Sequence, residues 1–85
     1  MKEAASLKAK TVAGNIRKVR DVRNYTQDYL AAKLGISQNA YSKIELGYSK
    51  ITLERLFTIS TILEIEVMQL LDADSTDFIQ TLTRH

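Results

Sequence analysis

The chain has 85 residues, 45% of them hydrophobic, enough for one modest core and no second domain. It holds no cysteine and its only histidine is His85, which excludes a disulfide, a thiolate nucleophile or a cysteine metal site. A net charge of +2 hides a gradient: residues 1–50 carry ten Lys/Arg against four Asp/Glu, and residues 51–85 carry two against six.

In chain order, Met1-Lys-Glu-Ala-Ala-Ser-Leu-Lys has no continuous apolar signal region, which makes a cytoplasmic protein the expectation. No apolar stretch is long enough to span a membrane. Residues 1–12, with Lys2, Lys8 and Lys10, are expected to form a flexible basic arm. A first helix is predicted over Ala13–Arg23, with Ile16 and Val19 inward and Asn24 as a left-handed terminator. Zero proline and three glycines favour a mostly helical chain.

Thr26 is an N-cap for a second helix over Gln27–Leu34, which places Leu30, Ala31 and Leu34 on one face. Gly35 supplies the positive φ of a sharp turn and Ile36 an apolar anchor inside it. Ser37 caps a third helix that directs Tyr41 and Ile44 inward and leaves Gln38, Asn39, Ser42 and Lys43 outward, until Gly47 ends it. Two short helices joined by a glycine turn fit a helix-turn-helix unit. Thr52 caps a fourth helix, with Leu53, Leu56, Phe57, Ile59, Ser60 and Leu63 expected in the core. A fifth, near Val67–Leu71, closes the bundle through Ile65, Val67 and Leu70. The fold class is therefore an all-α bundle of five short helices.

Gln27, Leu30-Ala31, Leu34-Gly35-Ile36-Ser37, Ser42-Lys43-Ile44-Glu45 and Gly47 together resemble the phage repressor/Cro-type (XRE-like) helix-turn-helix family. The resemblance covers residues 13–72, the expected DNA-binding domain; residues 73–85 are a tail or short helix outside it. It implies that helix 37–46 enters the major groove, where Gln or Asn bonds adenine and Lys reaches guanine. Gln38, Asn39 and Lys43 occupy those positions, with Ser37 and Ser42 beside them. Phosphate contacts are implied at Gln27 and in the Tyr48-Ser49-Lys50 loop, with Arg17 and Lys18 as additions. Arg20 and Glu45 match a partly buried ion pair joining the first helix to the recognition helix. Tyr41 is expected to pack inward with its hydroxyl escaping to the rim. Two departures stand out: Ile51 where the family often has proline, and Glu64 where it often has glycine or asparagine.

The implied function is an operator-binding transcriptional regulator, of the Cro/repressor or restriction-modification controller type, with double-stranded DNA as partner. The basic half fits phosphates. One recognition helix reads half a site, so a homodimer is expected, through Ile62 and Met68 or through the tail stripe Phe78, Ile79 and Leu82; the tail can instead fold back on its own domain. Two alternatives stay open: an antitoxin whose acidic end also binds a toxin, and a protein-interaction module on the same scaffold. Catalysis, a metal site and a cofactor are not expected.

Overall fold

A computed structural model describes residues 2–71, with side chains from residue 9 onward. Five helices follow one another: α1 (Lys2–Val22), α2 (Gln27–Leu34), α3 (Gln38–Glu45), α4 (Leu53–Leu63) and α5 (Val67–Leu71). There is no strand among the described residues. α1 packs against α3, α4 and α5, while α2 packs against α3 and α4. The core forms where these meet, from Ile16, Val19, Leu30, Ala31, Tyr41, Ile44, Leu56, Ile59, Leu63 and Leu70.

Each helix end is specified locally. The hydroxyls of Thr26, Ser37 and Thr52 accept the backbone N–H of Tyr29, Ala40 and Arg55 at 3.0, 3.1 and 3.1 Å, satisfying one orphan donor at the start of α2, α3 and α4. The first four helices all end in the same pair of nested hydrogen bonds, closed by a left-handed residue. At α2, Ile36 N–H reaches Ala31 O at 3.0 Å and Gly35 N–H reaches Ala32 O at 3.2 Å. The left-handed residues are Asn24, Gly35, Gly47 and Glu64, with φ of 62, 71, 78 and 58°. Glycine takes this conformation at little steric cost, and asparagine tolerates it. Glutamate at 64 does so under constraint. Arg23 holds this corner by donating to Leu63 O at 2.9 Å and Glu64 O at 2.8 Å, and Tyr25 OH donates to the Glu64 carboxylate at 3.1 Å.

Two expectations need correction. α1 begins at Lys2, so the first helix, expected from Ala13, takes in residues 2–12 as well. Its first turns are rich in Ala, Leu and Lys, all strong helix formers, and nothing there breaks the hydrogen-bond ladder. Leu53 and Phe57, expected in the core, are 68% and 50% exposed. They stand four apart on a line beside the buried stripe of Leu56, Ile59, Ser60 and Leu63, so the core-facing arc of α4 is narrower than its apolar composition implies. Residues 73–85, with the tail stripe Phe78, Ile79 and Leu82, lie outside the described residues. Ile51 is half-buried against the core, so the position often given to proline serves packing here.

Candidate nucleic-acid interface

The outer face of α3 is polar because the inner face takes every large apolar residue of the helix. Tyr41 and Ile44 are buried, while Gln38, Asn39 and Lys43 are exposed and Ser42 is half-buried. Gln27, at the first turn of α2, joins Gln38, Asn39 and Ser42 around one shallow surface depression. The turn thus unites one expected phosphate contact with three of the expected readers. Ser37 is first of all a cap; its oxygen is committed to Ala40 N–H, leaving its hydroxyl proton to donate outward.

What fixes α3 in the bundle is a network centred on Glu45. This carboxylate, only 7% exposed, accepts from Arg20 Nε at 2.5 Å and Nη2 at 3.1 Å, a two-pronged pairing that sets distance and angle together. It also accepts from Tyr41 OH at 2.6 Å and from Gln27 Nε2 at 3.1 Å. Arg20 in turn donates Nη1 to Tyr25 O at 2.8 Å and approaches the Asp21 carboxylate at 3.3 Å. Helices α1, α2 and α3 are therefore joined at a single acid. Burial opposes ionisation of Glu45, but the hydrogen bonds from Arg20, Tyr41 and Gln27 outweigh it and hold the carboxyl below its ordinary range. The same bonds from Glu45 raise the Arg20 guanidinium above its usual value. Burial, reinforced by the bond to Glu45, pushes the Tyr41 phenol well up.

Tyr41 departs from the expectation. It is fully buried and its hydroxyl turns inward to Glu45, because an i, i+4 spacing on α3 puts the two side chains on one line. Gln27 gains a second role as well. One amide N–H is committed to Glu45, which orients the group while the other remains available to an acceptor.

After α3 the chain turns at Gly47 into the 48–50 loop. A methyl group at position 47 would come within 3.2 Å of Lys10 Cγ, so α1 lies directly against this turn. Tyr48 is 76% exposed, Lys50 is exposed and Ser49 half-buried. Arg17 and Lys18 are exposed on α1. Sequence reasoning missed Arg55. Its Nη1 is buried without a hydrogen-bond partner, and the side chain lines a depression shared with Ser49, Lys50, Thr52 and Ile36. The available signal was an arginine in the first turn of α4, immediately behind the basic loop. Of the apolar pair expected at a dimer contact, Met68 is 70% exposed, whereas Ile62 is half-buried against the core.

Two short helices joined by a left-handed glycine turn, the second anchored from below and polar above, define a helix-turn-helix unit within a five-helix bundle. A family model described as helix-turn-helix matches residues 16–70, and the chain belongs to this family, in its XRE-type form. The chain is also 36% identical over 63 residues to a Bacillus subtilis (strain 168) protein named "Uncharacterized HTH-type transcriptional regulator YqaE"; the match covers 74% of this chain and 54% of the relative. The chain thus spans about half the length of that relative. No solved structure is significantly similar to it. No helix among the described residues is long and apolar enough to cross a membrane.

Proposed function

We propose that the chain is a sequence-specific DNA-binding transcription regulator of the repressor/Cro or controller type. It grips an operator as a homodimer, with residues 13–72 as the DNA-binding domain. Gln38, Asn39 and Lys43 read base edges in the major groove, with Ser37 and Ser42 at the margin. Gln27 and the Tyr48-Ser49-Lys50 loop hold the backbone on either side, assisted by Arg17 and Lys18. Arg55 shares a depression with Lys50 and adds a second positive charge beside the loop.

The observation that carries this reading is the division of labour on α3. Its apolar residues and Glu45 are consumed in fixing the helix, and the polar residues left outside are those able to bond bases. A solvated helix would not need to be held by a two-pronged arginine, a buried tyrosine and a glutamine at once. Footprinting on the DNA upstream of the protein's own gene tests it. Two protected half-sites, with centres about 34–36 Å apart, are expected of a dimer; protection without any sequence preference would contradict operator binding.

A further inference from the structure

Beside the 48–50 loop lies an apolar groove of about 400 Å³ that DNA does not explain. It is lined by Ala9, Val12 and Ala13 of α1, by the 47–51 loop, and by Leu56 and Leu71. A cavity of about 150 Å³ accepts a benzene ring, so this one has room for an aromatic ring and aliphatic chains next to it. Its lining is mostly apolar, a surface that gains from being covered.

We propose that residues 72–85 of the same chain cover it, with Phe78, Ile79 and Leu82 as the inserted side chains. The chain leaves α5 at Leu71, itself part of the groove and 46% exposed, so the next residues start at the site they would fill. Phe78 follows seven residues later, a reach of roughly 10 Å as helix and about 23 Å extended, so the groove that starts at Leu71 is within its range. Phe78, Ile79 and Leu82 make a compact apolar stripe at helical spacing, a shape suited to a narrow slot. Charge agrees with shape. The segment carries Asp72, Asp74 and Asp77, while Lys50 lines the groove and the stem of Lys10 lies against Gly47 on its rim.

Such seating has a consequence that rests on the DNA-binding reading. It sets three carboxylates beside the Tyr48-Ser49-Lys50 loop, where they oppose an approaching phosphate backbone and weaken binding until displaced. The tail is then an internal competitor for the basic loop.

The chain has no cysteine, so Gln80→Cys places a single nitroxide between the anchors. In the isotopically labelled full-length chain, the amide signals of Val12, Ala13, Ile51 and Leu56 are expected to broaden more than those of α2. Adding Phe78→Asp and Leu82→Asp should remove this preference. Mixing nitroxide-bearing unlabelled chains with labelled chains that lack the nitroxide should give no broadening. Uniform broadening, or none, overturns the seating; broadening in the mixed sample overturns it in favour of a second copy as occupant. These readouts need no DNA, so they stand if the regulator reading fails. For the competitor role, Asp72→Asn/Asp74→Asn/Asp77→Asn should tighten binding to duplex DNA about fivefold at low salt, with the gain vanishing at high salt. Unchanged affinity in that variant overturns it.

Discussion

Glu45 concentrates more of the molecule's logic than any other residue. A buried carboxylate is tolerable only when its oxygens are filled, and here arginine, tyrosine and glutamine donors fill them. Arg20→Ala or Glu45→Ala leaves the opposite charge buried and should each cost about 3–5 kcal/mol in thermal or denaturant unfolding. The double variant should cost clearly less than the sum; strict additivity would show that the pair is not coupled. Acid sensitivity follows from the same network. Glu45 has a lowered pKa in the folded state, so its contribution is fully present above the unfolded carboxylate value of about 4.3 and is lost as pH falls through the lower folded value. Glu45→Gln should therefore show a shallower loss of melting temperature than the parent below pH about 4.3; identical acid limbs would contradict the assignment. The pairing of Arg20 with Glu45 was legible in the sequence through the family resemblance. The inward turn of the Tyr41 hydroxyl was not, because helical spacing says that two side chains share a line and not which polar atom meets which.

The helices were legible to the extent that their ends carry local chemistry. Thr26, Ser37 and Thr52 mark starts that the backbone confirms, and Asn24, Gly35 and Gly47 mark stops. Where no such signal exists, the reading failed: nothing at Ala13 tells a helix to begin, and α1 runs back to Lys2. Leu53 and Phe57 were misread because hydrophobicity alone does not say how wide the buried arc of a helix is. Glu64 shows what a terminator costs when it is neither glycine nor asparagine. Replacing it with glycine relieves a left-handed side chain and keeps the Arg23 bonds, which go to backbone oxygens. Glu64→Gly should stabilise the protein by roughly 0.5–1 kcal/mol, net of the greater freedom glycine has when unfolded; a lower melting temperature would mean that the Tyr25 contact outweighs the backbone relief.

For the whole molecule, the charge gradient and the fold divide the same way. The basic half carries the polar face of α3, the 48–50 loop and the exposed cations of α1, and residues 51–85 supply the core-closing helices and most of the acid. The DNA-facing side proposed for the basic half should bind with an affinity that falls steeply with salt, by a slope of about 0.9 per phosphate neutralised. The positions of the expected base readers follow from the turn, and Gln38, Asn39 and Lys43 are exposed there. Arg55 and the groove beside the loop were not legible in the sequence, since both depend on which surfaces α1 and α4 bring together.

The proposed reading of sequence by α3 is tested by comparing binding to the DNA upstream of the protein's own gene with binding to a scrambled duplex, across a salt series. The parent and the Gln38→Ala/Asn39→Ala variant would be measured side by side. Both substitutions lie on exposed positions and should change stability by no more than about 0.5 kcal/mol. The parent should show a site preference that the variant loses, by about 1–3 kcal/mol per base contact, with the salt slope of both unchanged. Equal affinity of the parent for both duplexes, or a variant that keeps the full preference, would contradict the proposed reading.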